Sequence, residues 1–225
     1  GQTGILVPPG LFGWTLIVVN HLGAPIVSCL IVYMLARVSN DVESRLEAEH
    51  LRSENLLHAI LPIAVAERLK DGRTTSEGVD PATVLFADLV GFTAWAERTS
   101  PELVVEKLDT IFGAFDEMAE RLELEKIKTI GDAYMVAGGL PGTRSDHVAA
   151  TAQLALEMRD YLAAHGGGLS MRIGIHTGPV VAGVIGKRKF AFDLWGDTVN
   201  TAARMESHGQ PHRIHVSETV ASALG

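Results

Sequence analysis

Two acidic residues stand at the ends of apolar, strand-like runs in this chain. Asp88 lies in Phe86-Ala-Asp-Leu-Val-Gly-Phe-Thr93, and Asp132 lies in Lys128-Thr-Ile-Gly-Asp-Ala-Tyr-Met135. A lone Asp at a strand end is more often a turn or cap residue than a ligand. Two that meet in one sheet can hold a pair of magnesium-sized cations against a nucleoside triphosphate. The glycine after Asp88 also lets backbone N–H groups come close to a phosphate. A third segment, Phe192-Asp-Leu-Trp-Gly-Asp-Thr-Val-Asn-Thr-Ala-Ala-Arg-Met-Glu206, places Asn200 and Arg204 at i, i+4, on one face of a helix. By itself that spacing describes an exposed polar face. An arginine there could meet phosphate oxygens with its planar, permanently charged fork.

The elements that must position these residues follow from periodicity. Thr83 to Ala87 reads as a strand with Asp88 at its carboxyl end. Apolar residues at 104, 108, 111, 115, 118 and 122 make a helical stripe over Pro101–Leu122, with Ser100 as its N-cap. Leu124–Ile130 and Ala133–Ala137 flank Gly131-Asp132 and read as a hairpin with a carboxylate at its tip. His147–Ala164 is helical, and Ser170–Ile175 and Pro179–Ile185 are strands broken by Gly178. Asp197–Glu206 is a helix capped by Asp197, with Trp195 as a packing residue before it. Arg213–Val216 is a strand and Glu218–Leu224 a short helix. The expected class is α+β, with antiparallel pairing and helices on one face.

Composition bounds the rest. The chain has 225 residues, 47% hydrophobic and 20% charged, with a net charge of −8. The acidic balance and the lack of a basic stripe argue against nucleic acid as a partner. Cys29 is the single cysteine, which argues against disulfide, zinc and thiol chemistry within one chain. Gly10 to Ala36 carries no charged residue, and as a helix would span about 40 Å, enough to cross a bilayer with some tilt. Arg37 follows it, so the positive-inside bias assigns the downstream side to the cytoplasm. Val42, Leu46, Glu49, Ser53, Leu56, Ile60 and Ile63 then follow heptad spacing, and the polar Glu49 and Ser53 would weaken a parallel coil. Pro62 disturbs the helix before Glu67–Gly72. The expected organisation is a transmembrane helix over 1–38, a coiled-coil linker helix over 39–72 and a catalytic domain over 73–225.

The three motifs together resemble the catalytic domain of class III nucleotidyl cyclases, specifically membrane-anchored bacterial adenylyl cyclases and one half of the mammalian membrane enzymes. The resemblance covers Leu56 to Leu224 and implies a ferredoxin-like, palm-like domain that converts ATP to 3′,5′-cyclic AMP and pyrophosphate. It implies metal ligation by Asp88, Leu89 and Asp132, with two divalent cations, Mg²⁺ or Mn²⁺, per site. Phe92, Thr93 and Arg172 would touch phosphates, Asn200 would position the ribose, and Arg204 would stabilise charge on the α-phosphate. Lys128 and Asp193 match the adenine-reading pair: Lys donates to N1, and Asp accepts from the exocyclic amine. Guanine presents the opposite pattern, and guanylyl cyclases typically carry Glu and Cys at these places.

In the family each site is built from two domains across an interface. Because the full set lies on one chain, the expectation is a homodimer with two composite sites. The family domain usually continues into strands bearing a basic phosphate-binding segment, so this domain is read as C-terminally incomplete. The resemblance also implies the cell membrane as location, with the catalytic domain cytoplasmic, membrane lipid as surroundings, and a membrane-domain ligand that the sequence leaves unidentified. Competing readings are a guanylyl cyclase and a catalytically silent receptor or dimerisation module of the same fold. No metal Asp, Asn or Arg is lost, as a silent module would suggest.

Overall fold

The computed structural model describes residues 10, 14, 21, 23–58, 61–71, 76–140, 142, 144–186 and 189–225. The chain divides into two compact units, Gly1–Leu57 and His58–Gly225. Most of the stretch before Gly23, together with Ile60 of the heptad seam and the Gly72–Arg73 boundary, lies outside the described residues.

The first unit is dominated by α1 (Ala24–His58). From Ile26 onward it contains neither Gly nor Pro, so nothing interrupts its hydrogen-bond ladder. The end of the apolar run and the Glu-rich seam therefore form one continuous helix, with no break at residue 38. Its segment from Pro25 is long and apolar enough to cross a membrane by length and composition. Seam residues Val42, Leu46 and Leu56 are exposed.

In the second unit Pro62 precedes α2 (Ile63–Lys70), as expected from its missing N–H. There follow β1 (Glu77–Val90), α3 (Phe92–Ala96), α4 (Pro101–Arg121), β2 (Glu125–Ile130) and β3 (Ala133–Gly138). Then come α5 (His147–His165), β4 (Ser170–Ile185), β5 (Ala191–Trp195), α6 (Asp197–Ser207), β6 (Ile214–Val216) and α7 (Glu218–Leu224). The sheet runs β2-β3-β1-β4-β5 with antiparallel neighbours, and β6 adds parallel to β4. Ser100 caps α4 as expected, accepting from the Leu103 N–H at 3.5 Å.

Alternation along the central strands separates two faces. Leu85, Ala87 and Leu89 of β1 and Met171, Ile173 and Ile175 of β4 pack with Phe112 and Phe115 of α4 and Leu154 and Met158 of α5. The opposite face carries Asp88, Arg172 and Gly174, and α6 lies against it: a Cβ on Gly174 would sit 2.0 Å from the Glu206 N and 2.6 Å from the Ala202 O. Helices thus cover both faces, which corrects the one-face expectation. The missed signal is Gly174 and Gly178, four residues apart on one strand face, where absent side chains admit a helix backbone.

Other boundaries also moved. β4 is continuous through Gly178, because that residue pairs with Ala82 and leaves room for Thr198 rather than breaking the strand. β1 begins at Glu77, since the second half of β4 supplies a partner for its polar start, and Pro81 falls in the register shift between Val79 and Ala82. Asp88 consequently lies inside the strand, not at its end. Phe192–Trp195, read as a motif without secondary structure, is the edge strand β5, and Trp195 is exposed there. Asp197 is the first helical residue of α6; Gly196 holds the cap position, and no side-chain cap bond forms.

Two glycines test this architecture. Gly113 sits exposed within α4 with nothing near its missing Cβ, so Gly113→Ala should stabilise the chain by about 0.5–1 kcal/mol. Gly174→Ala should destabilise it by about 3 kcal/mol, because backbone rather than a flexible side chain occupies the space. Urea unfolding of both variants beside the parent chain measures the two signs.

Candidate active site

The β1–β4 ladder sets Asp88 directly across from Arg172, and the β1–β3 ladder sets it across from Ala133. Asp132 is one residue before Ala133, in the tight turn that Gly131 closes with a φ of 64°, a conformation that favours glycine. The Leu89 N–H donates to the Asp132 carbonyl at 3.3 Å, which ties that turn to β1. The two aspartates named from sequence are therefore brought together by strand pairing. Burial pushes the Asp132 carboxyl above its ordinary value, and the nearby Asp88 charge pushes the same way, while its backbone hydrogen bond and Arg172 oppose them.

Arg172 compensates this negative charge. Its Nη2 donates to Asp88 Oδ2 at 2.6 Å, and its Nε lies 3.1 Å from Glu206 Oε1. Arg172 is half-buried, and Glu206 is more so, at 14% side-chain exposure. Burial raises the Glu206 carboxyl, as do the charges of Asp88 and Asp132, against a lowering by Arg172. Glu206 received no role from the sequence. The available signal was helical phase: it sits two residues past Arg204, about 200° around α6, on the side that faces the sheet.

Asn200 and Arg204 occupy the other side of that helix. Thr198 and Ala202 are buried while Asn200 and Arg204 are exposed, so the pair does share a face, and that face points away from its own sheet. Phe92 and Thr93 begin α3 just after Gly91, whose φ of 86° turns the chain out of β1. The Phe92 ring is buried against Trp95, which leaves its backbone as the part available to a ligand.

Lys128 and Asp193 sit on the two edge strands of the path, β2 and β5, yet Lys128 Nζ donates to Asp193 Oδ2 at 2.5 Å. The sheet is curled enough for its edges to meet. Asp193 Oδ1 also accepts from the Leu194 N–H at 2.9 Å, which fixes the carboxylate.

The donor set suits a hard divalent cation: two neighbouring carboxylates, with the charge of Asp88 disfavouring ionisation of Asp132 unless a cation joins them. Among the described residues no group of three or more His, Cys, Asp or Glu is arranged to hold a metal ion. A magnesium-sized ion completes its shell with water and substrate phosphates in such sites, so two carboxylates and the Leu89 backbone fit that habit.

Comparison with known proteins identifies the family. The profile of the adenylate and guanylate cyclase catalytic domain family matches residues 74–225. An adenylate cyclase of Mycobacterium tuberculosis is 45% identical over 199 residues, covering 86% of this chain and 45% of that protein. The chain thus spans less than half the length of that relative. The catalytic core of a rhodopsin-guanylyl cyclase with converted specificity, in complex with ATPαS, superposes with a TM-score of 0.63 at 36% identity. That match covers 66% of this chain and 83% of the other. The adenylyl cyclase CyaB from P. aeruginosa gives a TM-score of 0.63 at 25% identity, covering 66% and 82%.

The edge pair makes a prediction about stability. Lys128→Glu sets a second carboxylate against the fixed Asp193, and at this partly exposed place should cost about 1 kcal/mol. Adding Asp193→Cys should return most of that loss, a non-additive pair in urea unfolding.

Proposed function

The chain belongs to the adenylate and guanylate cyclase catalytic domain family, and we propose that it is an adenylate cyclase, converting ATP to 3′,5′-cyclic AMP and pyrophosphate. The ribose 3′-oxygen bonds to the α-phosphorus, the bond from that phosphorus to the bridging oxygen of the β-phosphate breaks, and the 3′-hydroxyl proton is released. Two divalent cations, Mg²⁺ or Mn²⁺, would acidify the 3′-hydroxyl and neutralise the triphosphate. The observation that carries the reading is the convergence of Asp88, Asp132 and Arg172 where the β2–β3 turn meets β1 and β4.

The remaining roles belong to side chains and backbone groups of this protein. Asp88, Leu89 and Asp132 would hold the cations, and Arg172 with the Phe92 and Thr93 backbone would bind phosphate oxygens. Lys128 and Asp193 read adenine as donor and acceptor, and their direct pairing supports both facing the same point. Guanine would meet two mismatched polar groups there, a costly arrangement in a site built on hydrogen bonds. Asn200 orients the ribose. Arg204 stabilises negative charge growing on the α-phosphate, a contribution commonly worth several kcal/mol.

A homodimer follows in this reading from the orientation of α6. Asn200 and Arg204 point away from the sheet that carries Asp88 and Asp132. A second copy would bring its own pair to these aspartates, giving two equivalent sites. Exposed Ile130, Val181, Ile185 and Phe190, around β2, β4 and β5, supply apolar surface for such an interface. The candidate span in α1 supports a membrane anchor with the catalytic domain on the cytoplasmic side, and the same helix could carry a signal from a membrane-domain ligand.

Cyclic nucleotide formation from ATP and GTP with Mn²⁺ tests this. ATP should be the better substrate, and Asp88→Ala should lower turnover by more than about a hundredfold. The Lys128→Glu/Asp193→Cys variant should shift preference toward GTP on the order of a hundredfold. Specific activity should fall on dilution as the dimer dissociates; constant activity in a proven monomer would refute the composite site. Folded, dimeric protein that makes no product from either nucleotide would favour a silent module.

A further inference from the structure

Resting on the two-cation reading above, we propose that Glu206 is a positioning residue for Arg172, holding its guanidinium at the site when a cation takes the Asp88 carboxylate. In the free chain Arg172 serves two anions through different nitrogens, Nη2 toward Asp88 and Nε toward Glu206. The two contacts differ in quality. The Asp88 contact is a hydrogen bond at 2.6 Å. The Glu206 contact is close at 3.1 Å but poorly aligned, and Arg172 Nε and Glu206 Oε1 are buried atoms that lack a hydrogen-bond partner among the described residues. A buried charged pair left short of full alignment is costly unless a second arrangement improves it.

Cation binding at Asp88 supplies that second arrangement. A cation on the Asp88 carboxylate would compete with Arg172 for its oxygens and repel the guanidinium, so the arginine would give way. Its backbone cannot follow, because Arg172 is locked into the β1–β4 ladder. Glu206 is equally fixed, because α6 meets β4 backbone to backbone at Gly174, two residues from Arg172. The guanidinium therefore pivots on Glu206, aligning Nε with Oε1 and turning Nη2 free toward an anionic ligand over the aspartates. Without Glu206 the released arginine has only solvent or Asp88 to turn to, and at Asp88 it opposes the cation. Glu206 itself touches neither nucleotide nor reacting atoms in this scheme.

A double-mutant cycle on the full chain tests it with Glu206→Gln, Arg172→Gln and the double variant. Free Mn²⁺ is followed by electron paramagnetic resonance, with 3′-deoxy-ATP as a nucleotide that cannot cyclise, and KM and kcat for ATP are measured alongside. Glu206→Gln should weaken Mn²⁺–nucleotide binding and raise KM about tenfold while kcat stays within about twofold. In the Arg172→Gln background the same change should have no further effect on binding or KM. Equal weakening in both backgrounds would mean that Glu206 acts only as a general negative charge, and that overturns the proposal, as does no effect in either. If Glu206→Gln loses its cooperative urea transition, Glu206→Asp, which keeps the charge, completes the same cycle. Wild-type chain that neither binds Mn²⁺ with nucleotide nor makes cyclic product would remove the functional reading itself. Binding and turnover without coupling would remove only the role of Glu206.

Discussion

Direct backbone contact between α6 and β4 is the constraint on which the candidate site depends. A helix normally stands about 10 Å from the sheet it covers, held off by side chains. Here Gly174 and Gly178 have none, and Thr198, Ala202 and Glu206 of α6 settle into the space. Thr198 Oγ1 locks one end by donating to the Pro179 carbonyl at 2.7 Å. This contact fixes the rotation of α6 about its axis. Once that rotation is set, Glu206 must look down at Arg172 and Asp88, and Asn200 and Arg204 must look out.

The second organising feature is charge held in reserve. Arg172 is shared between Asp88 and Glu206 and offsets part of their charge, and Lys128 and Asp193 pair one to one at the joined sheet edges. Half-buried ions are costly when unpaired, so a folded chain without ligand needs these internal partners. In the proposed chemistry the same groups exchange partners: cations replace Arg172 on Asp88, and adenine comes between lysine and aspartate. Such exchange keeps the free protein stable while leaving the site responsive. Asn200 and Arg204 stand outside this economy, exposed on the far side of α6.

α1 introduces a separate physical theme. Its uninterrupted run from an apolar candidate span into a polar seam makes a stiff rod, since no Gly or Pro offers a hinge between Ile26 and His58. In a dimer the polar Glu49 and Ser53 would keep the seam marginal, a property suited to relaying a change rather than to clamping.

Local patterns made much of this molecule legible from sequence alone. The Pro101 helix with its Ser100 cap, the hairpin around Gly131-Asp132 and the final helix Glu218–Leu224 depend on neighbours within a few residues, so periodicity and turn chemistry specify them. The shared helix face of Asn200 and Arg204 followed from spacing in the same way. Tertiary structure alone decided the continuity of β4 through Gly178, the early start of β1, the edge strand β5 and the meeting of Lys128 with Asp193. It also decided that α6 covers the opposite face and that Glu206 belongs with Arg172. Each of these rests on pairing between residues far apart in the chain, where a glycine's meaning, break or docking place, depends on which backbone arrives against it.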